Sequence, residues 1–152
     1  LNDTVQVISG YANNEPLQLY RAGTAVSVLR VADVAPIASD HLIVNTAYNT
    51  ANASTVAQFV TALQKGMQSV ADDPAAAYDA SLSFIPEADP ANRDVTIEIL
   101  RATVAMWRAD ARVFGQINPP KWEQTHALLR AIGLLAQDVD VTTAYDVTYV
   151  NE

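Results

Sequence analysis

Apolar residues along the chain follow two periods in succession. Up to about Thr46 they recur at every second position in short runs. Thr4 to Ser9 (TVQVIS) places Val5 and Val7 on one face with Ile8 opposite and ends at Gly10, which predicts a strand. Asn14 to Ala22 (NEPLQLYRA) has an N-cap residue in Asn14, Pro16 in the first turn and Gly23 just past the end, the punctuation of a short helix. Val26 to Val31 (VSVLRV) predicts a second strand running into a link through Asp33 and Pro36. Leu42 to Val44 (LIV) is wholly apolar, the pattern of a strand buried on both faces.

Beyond Thr46 the period becomes 3.6. Ser54 can cap a helix whose stripe is Val56, Phe59, Val60, Leu63, Met67 and Val70. Asp73-Pro74, Asp89-Pro90 and Asn118-Pro119 each pair an N-cap with a proline at the first helical position. They predict helices running to about Phe84, to about Arg108 with Ile97, Leu100, Val104 and Trp107 on one side, and to Gly133 with Trp122, Thr125, Leu128, Leu129 and Ile132 as its stripe. Asp140 opens a last short helix through Tyr145 toward Val150. The expected fold class is therefore α/β. The apolar run at Leu42 to Val44 calls for sheet neighbours that nothing after it supplies. Two readings account for this. Either the chain is the carboxy-terminal part of a larger α/β protein or pairs with a second chain, or it is a small α+β domain with a three-stranded sheet and helices on one face.

Composition narrows the function. With 152 residues, half of them apolar and 17% charged, the chain is globular rather than disordered. No apolar run reaches the roughly 18 residues of a bilayer span. Seventeen acidic against nine basic residues give a net charge of −8, the wrong sign for affinity built on phosphates, so nucleic acid is not an expected partner. The absence of Cys excludes disulfides and thiolate metal sites. His41 and His126 have neither a second His nor a carboxylate at metal-ligand spacing, and no nucleophile elbow, P-loop or dinucleotide fingerprint occurs. Neither a metal nor a cofactor is expected.

One segment has the makings of a site. Gly10-Tyr11-Ala12-Asn13-Asn14-Glu15-Pro16 lies between an expected strand and a helix, and gathers an aromatic face, two carboxamides and a carboxylate. Tyr11 offers a ring to stack on, Asn13 and Asn14 offer donors and acceptors, and Glu15 accepts from ring N–H or hydroxyl groups. A plain helix cap would account for Asn14 and Glu15, but not for Tyr11 and Asn13. Asp33, with Ser39 and Asp40, borders the link around Pro36, and Trp107 is a further aromatic candidate on the helical stripe.

GYANNEPLQL at 10–19, the segment VSVLRV, the link ADVAPIASDHLIVNT at 32–46 and INPPKWEQTHALLRAIGLL at 117–135 together resemble the substrate-binding proteins of ABC importers in the NMT1/THI5-like group. That group includes receptors for thiamine pyrimidine precursors, riboflavin and aliphatic sulfonates, and fungal enzymes that make the thiamine pyrimidine. The resemblance implies a type II periplasmic-binding-protein-like fold. Residues 1–33 would then end the second lobe, 34–40 form the hinge crossover, and 41–152 complete the first lobe. It also implies ligand binding without chemistry: a planar heterocycle, riboflavin or a thiamine pyrimidine precursor, held by Tyr11, Asn13, Asn14, Glu15, Asp33 and Trp107, with an ABC permease as partner and an extracytoplasmic location. Glu15 argues against a nitrate or sulfonate ligand, since an anion would meet a like charge. The competing expectations are a sulfonate- or nitrate-type receptor, which would need a basic residue beside Glu15, and a pyrimidine-precursor synthase of the same fold using pyridoxal phosphate on a Lys. Lys65 and Lys121, the two Lys of the chain, both fall in expected helices beside apolar stripes rather than in a loop.

Overall fold

A computed structural model of the chain describes residues 5–150 apart from Pro36, Ser39 and Glu87. Thr4 of the first expected strand and Pro36 and Ser39 of the expected crossover lie outside these residues. Among the described residues six α-helices follow one another: α1 (Glu15–Arg21), α2 (Thr46–Ala51), α3 (Ala53–Asp72), α4 (Pro74–Ser81), α5 (Arg93–Asp110) and α6 (Pro119–Ala131), with short 3-10 turns between and after them.

The helices begin where short polar side chains satisfy free N–H groups. The Asp73 carboxylate accepts from the N–H of Ala75 and of Ala76, each at 3.0 Å, and opens α4. Asp89 accepts from Ala91 N–H at 2.9 Å in the turn that leads into α5, and Asn118 accepts from Lys121 N–H at the start of α6. The ends are equally specified. Beyond α1, Gly23 at φ 78° lets Thr24 N–H reach the Leu19 carbonyl and Gly23 N–H reach that of Tyr20, the reciprocal pair that closes a helix when the next residue is left-handed.

The core lies where α3, α4 and α5 meet. Val56 and Val60 of α3, Tyr78 of α4, and Ile97 and Val104 of α5 are its buried apolar side chains. α2 packs on α3, α1 packs on α5, and α6 packs on the 3-10 turn Val141–Ala144. A second, smaller cluster surrounds α6. Trp122 meets the His41 ring edge-on at 4.8 Å and the Tyr145 ring at 5.5 Å, while Thr125 Oγ1 accepts from Ala38 N–H at 2.7 Å. Tyr149 Oη donates to Asn49 Oδ1 at 2.7 Å, tying the chain's last described turn to α2.

The expected α/β, type II periplasmic-binding-protein-like architecture is corrected by the structure, because no strand occurs among the described residues. Residues 5–9, 26–30 and 42–44 are without regular structure and largely exposed, with Leu29 92% and Ile43 91% accessible. The reason is physical. Alternating β-branched residues favour an extended backbone, but a strand exists only through a ladder with a neighbour, and these segments form none with one another. The helices between residues 46 and 131 bury part of their stripes against one another and so do not depend on that ladder. The price appears as surface: the chain exposes 11385 Å², where a compact monomer of this mass exposes about 7,500 Å².

Candidate functional site

The segment 10–15 forms a tight turn leading into α1. Asn14 N–H donates to the Tyr11 carbonyl at 2.9 Å, and the Glu15 carboxylate reaches back so that its Oε2 accepts from Tyr11 N–H at 2.6 Å. Gly10 makes room for that return, since a Cβ there would stand 2.6 Å from Glu15 Oε2. Asn14 occupies the N-cap position without capping: its Oδ1 accepts from Gln18 Nε2 at 2.6 Å, and its Nδ2 donates to Glu15 Oε1 at 3.4 Å. Glu15, the first helical residue, also places its charge at the positive end of α1.

Asn13 fixes this turn to the body of the protein. Its Nδ2 donates at 2.7 Å to Thr103 Oγ1, 90 residues away on α5, and Thr103 Oγ1 donates in turn to the Ile99 carbonyl at 2.8 Å. Arg21, at the far end of α1, adds a two-pronged contact to Glu98 of α5, with Nε 2.8 Å from Oε2. Arg21 thereby holds the Glu98 carboxyl below its ordinary range. α1 and its leading turn are thus seated on α5 at both ends.

Four of the six sequence-derived candidates, Tyr11, Asn13, Asn14 and Glu15, thus lie in one hydrogen-bonded turn, and Asn13 links it to α5. The Tyr11 side chain is 69% accessible, and its backbone is held by Glu15 and Asn14. The carboxylate of Glu15 is already engaged on both oxygens, and Asn14 on both side-chain polar atoms, leaving the Tyr11 ring and the Asn13 carbonyl as the groups with most freedom toward a ligand. Asp33 stands elsewhere, in the exposed 3-10 turn Val31–Asp33, with its carboxylate 3.9 Å from Arg30 Nε. Trp107 lies one helical turn beyond Thr103 and packs edge-on against Phe114, with ring centres 5.9 Å apart.

A feature without a sequence motif lies at the end of α5. A groove of about 570 Å³ is lined by Gln64, Lys65, Arg108, Arg112, Val113 and Phe114, among others. A second of about 550 Å³ adjoins it across Arg108 and Arg112 and runs on to Pro119. The signal in the sequence was a pair of Arg spaced four apart around a helix end; the third cation comes from α3, 43 residues upstream, which no local pattern could announce. No helix among the described residues is long and apolar enough to cross a membrane.

Among the described residues the chain is a helical assembly that presents an aromatic turn anchored to α5. The sequence model of the NMT1/THI5-like family matches residues 1–77, half of the chain, and the chain belongs to that family. It is also similar to the riboflavin-binding protein RibY of Chloroflexus aurantiacus, with 34% identity over 153 aligned positions that cover 99% of this chain and 44% of the relative. The chain therefore spans less than half the length of the curated relative it matches. No solved structure matches it.

Proposed function

We propose that the chain contributes to a solute-binding protein whose ligand is riboflavin, taken up without chemical change. The observation that carries this reading is the similarity to a riboflavin-binding protein along 99% of the chain; the anchored turn at Tyr11 supplies a chemistry that suits it. The isoalloxazine ring stacks on the exposed Tyr11 side chain, and the Asn13 carbonyl accepts from the ring N–H or a ribityl hydroxyl. A ligand without those donors leaves the acceptor unpaired on desolvation, at about 1–3 kcal/mol. The protein delivers its ligand to an ABC permease and works outside the cytoplasm. Binding without turnover is part of this reading, and it is supported by the engagement of both Glu15 oxygens within the turn.

Flavin fluorescence tests this. The complete gene product is titrated with riboflavin, with a hydroxymethylpyrimidine and with taurine as competitors. Stoichiometric quenching that only riboflavin competes away, that is lost in Tyr11→Ala and that is retained in Tyr11→Phe, is the expected result. Quenching that is absent, or unchanged in Tyr11→Ala, refutes it, and displacement by the pyrimidine would reassign the ligand.

A further inference from the structure

The cations of this acidic chain are distributed in two ways. Arg21, Arg30, Arg93 and Arg130 each stand beside a carboxylate: Glu98, Asp33, Asp79 and Asp138. Lys65, Arg101, Arg108 and Arg112 are exposed, and none of them lies within ion-pair distance of a carboxylate among the described residues. Lys65, Arg108 and Arg112 come together along the groove between α3 and the α5–α6 connection. In a protein of net charge −8, three cations gathered on one side without an ion pair among the described residues repel one another, so their clustering calls for an anionic counterpart.

We infer that this groove docks an acidic polypeptide segment of a partner protein. Its shape favours a chain over a small oxyanion. The two grooves adjoin across the Arg108–Arg112 ridge, the apolar side chains of Ala111 and Val113 line both, and Ile117 extends the apolar strip along the second. An extended segment alternating Glu or Asp with aliphatic residues matches such a strip, whereas a lone phosphate requires donors that converge from buried positions. The scaffold is organised in advance. Arg108 is stacked over the Phe114 ring at 6.0 Å, Gln64 Nε2 donates to the Phe114 carbonyl at 2.9 Å, and Arg112 N–H donates to Gln116 Oε1 at 3.0 Å. The connection is thereby held against α3 with its guanidinium groups outward.

Fluorescence anisotropy with a labelled Glu-Leu-rich peptide tests the docking surface, with the Gln-Leu counterpart and inorganic phosphate as competitors. Binding of the Glu peptide that weakens as salt rises toward about 0.15 M is expected. Arg108→Glu/Arg112→Glu, whose circular dichroism matches the parent, lowers the affinity at least about tenfold, and a Lys-Leu peptide then binds the variant in its place. The proposal is overturned if the Gln peptide binds equally, if the charge-reversed protein retains the Glu peptide, or if no peptide binds. Phosphate displacing the peptide at equal concentration also overturns it, because the groove is then an oxyanion site.

Discussion

The contact between Asn13 and Thr103 spans 90 residues and has a defined energetic signature. Thr103→Val keeps the side chain's shape on α5 and removes its oxygen. The Ile99 carbonyl retains its place in the helical ladder, so the cost falls on Asn13, whose half-buried Nδ2 loses its acceptor at 2.7 Å. Leaving a partly buried donor unpaired costs about 1–3 kcal/mol, the lower end applying because water can reach the turn. Asn13→Ala costs less, about 0.5–1.5 kcal/mol, because Thr103 keeps its bond to Ile99. The double variant loses no more than the worse single, giving a coupling energy near 1 kcal/mol in a cycle measured by urea denaturation. The same change lowers the thermal midpoint by about 2–4 °C in a chain of this size. A coupling below about 0.3 kcal/mol, within the additivity expected of independent sites, refutes the view that Asn13 anchors the turn.

Asp73→Ala removes the acceptor of two N–H groups at the start of α4 and lowers stability by about 1 kcal/mol in the same urea assay; Asp73→Asn retains most of it. Acidification has a worked sign. Arg93 and Arg21 hold the carboxyls of Asp79 and Glu98 below their ordinary values of 3.8 and 4.5, so their stabilisation is complete above those values and is lost as pH falls through the lower, folded-state ones. The thermal midpoint is therefore flat from pH 7 to about 5 and falls below about 4.5, less steeply in Asp79→Asn. The chain also exposes about 3,900 Å² more than a compact monomer of its mass, an area within the range of obligate interfaces. Sedimentation velocity on the 152-residue chain alone shows concentration-dependent association; a single monomeric boundary with a cooperative melt refutes this.

How much of this was legible in the sequence follows from the range of each interaction. Helix starts depend on a side chain and an N–H two or three residues away, so Asp73-Pro74, Asp89-Pro90 and Asn118-Pro119 announced α4, the turn into α5, and α6. Asn45 caps α2 by accepting from Tyr48 N–H at 3.0 Å, but TAYNTA offers no apolar stripe, so the hydrophobic pattern does not predict that helix. α3 begins at Ala53, and Ser54 accepts from Gln58 instead of capping. Strands are the opposite case, for Val26, Val28 and Ile43 carry the right residue types while the ladder they require is a nonlocal property. Within the site, the composition of 11–15 was legible but its wiring was not. Glu15 was expected to face a ligand, and its proximity to Tyr11 N–H depends on the turn geometry that Gly10 permits.

That wiring bears on how the turn can bind. Tyr11 is exposed, yet its backbone is held through Glu15 and Asn14, and Asn13 carries the restraint to Thr103, on the helix whose Ile97 and Val104 are buried in the core. Stacking a ligand on Tyr11 therefore orders one side chain and not a loop, which spares much of the conformational entropy that binding otherwise consumes. Among the described residues, the exposed aliphatic residues at 26–31 and 42–44 have no comparable tie to α5, and the 3-10 turn holding Val31 packs on no other helix. An exposed aromatic group on a held backbone is suited to a small planar ligand, whereas exposed aliphatic segments without such a restraint are suited to burial against more polypeptide. The two kinds of apolar exposure in this chain thus point to different partners. Gly10→Ala separates them, because it drives Glu15 from Tyr11 N–H, weakening flavin quenching while leaving self-association unchanged.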